Sequence, residues 1–349
     1  MEFNLNQTAT TEKLREFAEK LMELSDRIGF KVSARGWCYQ MESERLINKD
    51  EFDKVESWIN KCRKKGILPI DFTLEEEGRQ FSGVEKPTTQ SPVSFMGLYV
   101  NASLSAEDYY TPDWWNGEEF YIQMLVEKID LKTLFEPICK KYHIPIATSK
   151  GWSSMLQRGV YARRFKEAED KGLRPVLLYC GDHDCDGLRI SEFIRSNLED
   201  LKDVVWEDGE EGYDPYNLKI VRFGLNADFI EQHKLTWINN LITGSKKDLA
   251  NPNHRNFNMP YVRDYIRIYG VRKCEANAIV PLPNIARKLV ESAIIDFLGV
   301  DAVDRFEEKR KNVKKILDNF RKKTGLDKSL KEALKIIEKE KLKEKDEDE

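Results

Sequence analysis

One pattern constrains this chain more than any other. From about residue 119, short apolar runs alternate with amphipathic ones. FYIQMLV reads as a strand and LKTLFEPICKKYH as a helix. IPIAT, then WSSMLQRGVYARRFKEAED, repeat the alternation, and PVLLYCG with LRISEFIRSNLEDL repeats it again before LKIVRFGL. Runs of period two and period 3.6 in succession are the signature of βα units. Such units imply a mostly parallel sheet covered by helices on both faces.

Upstream, TEKLREFAEKLMELSDRI carries Leu14, Phe17, Leu21 and Leu24 at helical spacing and stops at Gly29. Ser33 is a candidate N-cap for a second short helix, and a third spans about 50–65, before Gly66. ILPIDFTL then reads as extended. Three helices and an extended element have the outline of a winged-helix domain. The expected organisation is a winged-helix domain at 1–85, a linker at 86–118 and an α/β domain with its extension at 119–300. A charged helical or disordered tail follows at 301–349.

With 349 residues, the chain is long enough for more than one core. The six cysteines form no CxxC pair and read as reduced thiols. No apolar run is long enough to cross a membrane, and the N-terminus lacks the pattern of a secretory leader. The expected location is the cytoplasm. A net charge of −4 argues against a protein that coats nucleic acid, but not against a local basic groove.

The chemistry concentrates at strand ends. Glu127 closes the first strand, and Asp182 and Asp184 follow the third. In an open parallel sheet these positions share the carboxyl edge, where ligands bind. Asp186 continues the alternation in GDHDCDG, so an extended loop aims the three aspartates one way and His183 and Cys185 the other. Clustered carboxylates repel unless a cation joins them. Mg²⁺ held by carboxylates, water and substrate phosphate is the usual answer in phosphoryl transfer. A helix-capping loop of solvated aspartates is the plainer reading of GDHDCDG taken alone. An EF-hand is excluded, because no Glu stands at the twelfth loop position.

On LVEK, Gly151 and GDHDCDG, residues 119–225 resemble a Toprim domain. Within that group the chain resembles the topoisomerase VI A subunits and the meiotic double-strand-break transesterases. Cys185 stands where those proteins commonly have proline. The resemblance implies a Rossmann-like Toprim fold with Glu127, Asp182 and Asp184 as Mg²⁺ ligands, Asp186 being an additional candidate. It also implies an N-terminal winged helix whose tyrosine follows an arginine by four positions. Arg35-Gly36-Trp37-Cys38-Tyr39 matches, with Gly36 and Cys38 where an acid and an aromatic are common.

The implied activity is a type IIB, A-subunit-like DNA topoisomerase reaction. Tyr39 would attack double-stranded DNA, giving a 5′-phosphotyrosyl link that can be resealed, and Arg35 would grip the phosphate. The family further implies a homodimer in which the tyrosine of one subunit meets the metal site of the other. No nucleotide-binding motif is present, so strand passage would need a separate ATPase subunit. Arg63, Lys64, Lys65 and Lys150 are candidate DNA contacts, although the first three also suit a helix C-terminus. Glu275, in CEANAIVPLP, falls in an element similar to one in plasmid- and virus-borne relatives, without a defined role. Water-driven hydrolysis by a Toprim nuclease, and DNA binding without catalysis, are the competing expectations.

Overall fold

The computed structural model describes residues 5, 8–69, 71–74, 88–149, 155–206, 208–242 and 248–348. Two compact units emerge. The first joins Met1–Glu76 to Glu118–Gly299, and the second joins Glu77–Gly117 to Val300–Glu349.

The first unit opens with three helices. Helix α1 (Thr11–Ile28) is capped by the Thr10 hydroxyl and ends at Gly29, whose φ of 71° favours glycine. It buries Leu14, Phe17, Leu21 and Leu24, the stripe that its spacing predicts. Helix α2 (Ala34–Ser43) is capped by Ser33, as expected, and α3 (Phe52–Lys64) packs beside it. ILPIDFTL is not a strand where it is described. It turns through a Phe72 N–H to Pro69 O bond, and the Phe72 ring stacks on Trp37 at 4.9 Å. Leu68 and Phe72 are buried against the helices, so the run closes their core instead of pairing with a neighbouring strand.

The sheet has four parallel strands among the described residues: β1 (Phe120–Val126), β2 (Ile146–Thr148), β3 (Arg174–Cys180) and β4 (Lys219–Gly224). Their order is β2-β1-β3-β4. Between them run α5 (Ile129–Lys141), α6 (Met155–Asp170) and α7 (Ile190–Glu199). Right-handed crossovers send the chain one way from β1 to β2 and the opposite way through β3 to β4. Helix α5 therefore covers one face, while α6 and α7 cover the other. After β4 come α8 (Ala227–Gln232), α9 (Pro260–Tyr269) and α10 (Pro283–Leu298), and α10 joins α5 on its face. The alternation of runs thus produced the α/β layers it predicts. The strand order reverses between β1 and β3, the position at which open parallel sheets commonly bind ligands beyond their carboxyl ends.

The expected boundary near residue 85 separates two domains, whereas the helices up to 76 belong to the same compact unit as the sheet. Asp130, 1% exposed at the start of α5, supplies a reason. Its carboxylate accepts from Ser33 N at 2.7 Å, Ser33 Oγ at 2.9 Å and Asn277 Nδ2 at 2.9 Å. A buried carboxylate needs such donors, and the N-terminus of α2 is one of them. Gly36 permits the approach, since a Cβ there would lie 2.9 Å from Asp130 Oδ1.

In the second unit the expected linker at 86–118 holds a helix, α4 (Pro92–Leu104), capped by Ser91 with Pro92 at its first position. The expected tail forms α11 (Ala302–Thr324) and α12 (Leu326–Asp348). Helix α12 packs along α4, where Gly97 meets Ile337 and Lys341. The Trp114 ring lies 4.7 Å from Phe306, and Lys309 Nζ donates to Trp114 O at 2.6 Å. The expected tail is thus helical through Asp348, and α12 lies along α4. No described helix is long and apolar enough to cross a membrane.

Candidate functional site

Glu127 and Asp182 meet at the reversal of strand order. Val126 pairs with Cys180 in register, so the residues just beyond β1 and β3 fall side by side. Asp182 N–H donates to Glu127 Oε2 at 2.6 Å. Gly181 makes the approach possible, because a Cβ there would meet the Tyr179 hydroxyl and lie 2.8 Å from Glu127 Oε2. Lys128 Nζ bridges the two acids, 2.6 Å from Glu127 Oε1 and 3.2 Å from Asp182 Oδ2.

Asp184 is held differently. Its Oδ1 accepts from Gly187 N at 2.6 Å within its own turn, and Asp186 is exposed. Sequence spacing therefore brings Glu127 and Asp182 together but leaves Asp184 outside the pair. Among the described residues, no group of three His, Cys, Asp or Glu side chains is arranged to hold a metal ion. His183 and Cys185 are 1% and 2% exposed, on the side away from the acids that alternation predicts. His183 is enclosed by Trp237, Tyr265 and Tyr269, and Cys185 by Leu241, Leu249 and Val262.

Electrostatics mark the pair. Burial first, then the Asp182 charge, pushes the Glu127 carboxyl well above the usual carboxylate range. Burial alone would lower the Lys128 ammonium, but Asp182 and Glu127 outweigh it and raise it. Burial also raises Asp184, partly offset by the Gly187 N–H. The two adjacent carboxylates are spanned by one ammonium, so Lys128 compensates the charge of the pair.

A third strand-end partner comes from 90 residues downstream. His183 and Cys274 form an antiparallel bridge, with N–H to O bonds of 2.8 and 3.0 Å. This suture lets Ala276 N donate to Asp182 Oδ1 at 2.6 Å and sets Glu275 beside the acids. The Tyr39 hydroxyl donates to Glu275 Oε2 of the same chain. Lys49 Nζ lies 3.1 Å from Glu275 Oε1 and 5.6 Å from the Tyr39 ring centroid. Burial chiefly lowers Lys49, to about 8, and raises Glu275. Tyr39 is 7% exposed and borders a cavity of about 30 Å³, room for one water rather than a phosphodiester.

Arg35 lies one helical turn before Tyr39 on α2, and its charge lowers the Glu275 carboxyl against the effect of burial. Its Nη1 lies 3.3 Å from Glu56 Oε1 and 3.5 Å from Asp53 Oδ1, and its guanidinium stacks on Phe52 at 4.8 Å. The same Phe52 ring meets Tyr39 edge-on at 5.1 Å. The Phe52 ring thus contacts both Arg35 and Tyr39. Arg63 reaches Asn60 at 3.3 Å and Lys65 reaches Thr11 at 3.2 Å, while Lys64 is exposed. These three sit at the end of α3, apart from the acid pair. Lys150 and Gly151 lie outside the described residues.

Lys49 carried no signal in the sequence, because nothing local ties KDE to a segment more than 200 residues away. A wide cavity of about 740 Å³ lies at the opposite edge of the sheet, lined by Phe120, Arg174 and Lys219 at the strand starts. Size alone would favour it. The carboxyl edge of the sheet has the convergent charged groups and the shifted acid, and it is the stronger candidate. No family model, curated protein or solved structure matches the chain.

Proposed function

We propose that the chain is an enzyme acting on the phosphodiester backbone of DNA. More narrowly, we read it as a topoisomerase VI A-like tyrosine transesterase, a Toprim domain coupled to a winged-helix domain. The observation that carries this reading is the link Tyr39–Glu275–Ala276–Asp182, which joins the candidate nucleophile to the acid pair.

Glu127 and Asp182 would hold Mg²⁺, with Asp184 recruited from its turn and Asp186 at the rim. When bound, the ion would neutralise charge on the phosphate undergoing transfer. The tyrosine hydroxyl would attack phosphorus and remain joined to the 5′ end, conserving the ester for resealing. Arg63, Lys64 and Lys65 would meet backbone phosphates, giving salt-dependent and largely sequence-independent binding. Lys150 belongs to the same proposal. A homodimer on double-stranded DNA, a separate ATPase subunit for strand passage, and a cytoplasmic location complete it.

The burial of Tyr39 favours a second reading, hydrolysis by water at the same acids. Incubation with supercoiled DNA and Mg²⁺, followed by denaturation, separates the two. The transesterase reading expects DNA covalently attached to protein, lost in both Tyr39→Phe and Asp182→Ala. Cutting that survives Tyr39→Phe without an adduct would identify a nuclease. DNA binding with no cutting in any form would leave a binding protein.

A further inference from the structure

We infer that the contact between Tyr39 and Glu275 is an autoinhibitory restraint, which holds the candidate nucleophile inside its own chain in the DNA-free protein. This rests on the transesterase reading and on the homodimer it expects, in which the tyrosine of one subunit serves the acid pair of the other.

A tyrosine that works with another subunit needs an accessible hydroxyl. The Tyr39 hydroxyl instead donates to Glu275 Oε2 of its own chain, and the residue is 7% exposed. Glu42, Lys49, Thr236 and Ile238 line the cavity of about 30 Å³ beside it. A phosphodiester cannot enter so small a space, so the oxygen that would attack phosphorus is shielded.

The carboxylate that holds it is itself fixed. Cys274 is bridged to His183, and Ala276 N donates to Asp182, so Glu275 stands between two backbone anchors on the acid loop. Lys49 Nζ at 3.1 Å and Lys273 Nζ at 3.8 Å both approach Glu275 Oε1, which leaves Oε2 to the tyrosine. A half-buried carboxylate is stabilised by each donor it gains, and the hydroxyl is one of them. The Phe52 ring, edge-on to Tyr39 at 5.1 Å, steadies the aromatic part.

Two ties of unequal kind join α2 to the rest of the first unit. At the N-terminus, Ser33 donates twice to Asp130, which is 1% exposed. Roughly 9 Å further along the helix, Tyr39 meets a Glu275 side chain that is 21% exposed. The first tie is closed to water, whereas the second borders a water-sized cavity, where water can replace a lost hydrogen bond. Freeing Tyr39 therefore breaks the second tie and leaves the first in place.

The test uses the full-length protein and two readouts. One is nitration of Tyr39 by tetranitromethane without DNA, followed by peptide mass spectrometry. The other is covalent attachment to supercoiled DNA with Mg²⁺, measured after denaturation. Wild-type Tyr39 is expected to react as slowly as the buried Tyr161 and Tyr179, and far more slowly than the exposed Tyr216. Glu275→Ala removes the acceptor and should speed both nitration of Tyr39 and adduct formation about tenfold, with Tyr161 and Tyr179 unchanged. Glu275→Gln keeps an acceptor and should fall between the two. Glu275→Leu keeps bulk at the position and repeats the comparison if the alanine variant melts early. Nitration of wild-type Tyr39 at the rate of Tyr216 would overturn the restraint. So would a measurable wild-type adduct rate that Glu275→Ala does not exceed. Absence of an adduct from every form would remove the transesterase reading instead, and the nitration rates alone would then decide whether Glu275 holds Tyr39.

Discussion

Lys128 Nζ lies 2.6 Å from Glu127 Oε1, closing an ion pair between sequence neighbours at the carboxyl edge of the sheet. The same ammonium reaches Asp182, so a tethered cation compensates the acid pair. On the Mg²⁺ reading proposed above, a divalent ion would have to displace it. Lys128→Met is therefore expected to bind Mn²⁺ or Mg²⁺ about tenfold more tightly, since a competing charge is gone. Without metal the variant should be less stable by about 1–3 kcal/mol, because the two acids lose their partner. Titration calorimetry and melting in chelator check both. Weaker metal binding would mean that the lysine supports the site instead of competing for it.

Gly181 is required by close approach rather than by an unusual φ. A methyl group there would collide with the Tyr179 hydroxyl and the Glu127 carboxylate. Gly181→Ala is expected to cost about 1–3 kcal/mol, in the range of an overpacked interior. Chemical denaturation measures it. A neutral result would show that Glu127 can move away freely.

His183 gives the protein an acid limit. Burial first, then the Arg222 charge, lowers its imidazole to about 4. Unfolded histidine titrates near 6.5. Between those values the unfolded chain holds more protons, so stability rises with pH across the window. This contribution is complete above about pH 6.5 and is lost as pH falls toward 4, by about 2–3 kcal/mol. His183→Gln should flatten the slope of stability against pH between 4 and 6.5. An unchanged slope would assign the acid sensitivity to other groups.

Gly97 lets α12 lie close along α4, where a Cβ would be 3.2 Å from Ile337. Gly97→Leu is expected to part these helices. Hydrogen exchange should then accelerate in 326–342 by at least about tenfold, while the strands of the first unit keep their protection. Equal loss in both would mean that the two units unfold together.

Local periodicity determined a good part of this protein. Alternating runs dictate parallel βα units, and strand ends place Glu127 and Asp182 on one edge, because a parallel sheet aligns its carboxyl termini. Alternation within GDHDCDG likewise turns His183 and Cys185 inward. Helix α4 escaped this logic. SPVSFMGLYVNASL is largely apolar around its circumference, so it shows no 3.6-residue stripe, and among the described residues its main packing partner is α12 near the chain's end.

The rest was decided by contacts between distant segments. Asp184 bonds to its own turn, Arg35 turns to Asp53 and Glu56, and Phe72 closes a helical core instead of forming a strand. Glu275 reaches Tyr39 because the His183–Cys274 bridge and the Asp130 latch bring three separated stretches together. Periodicity records which face of an element is apolar. It carries no information about which polar partner, tens or hundreds of residues away, satisfies a buried hydroxyl or carboxylate.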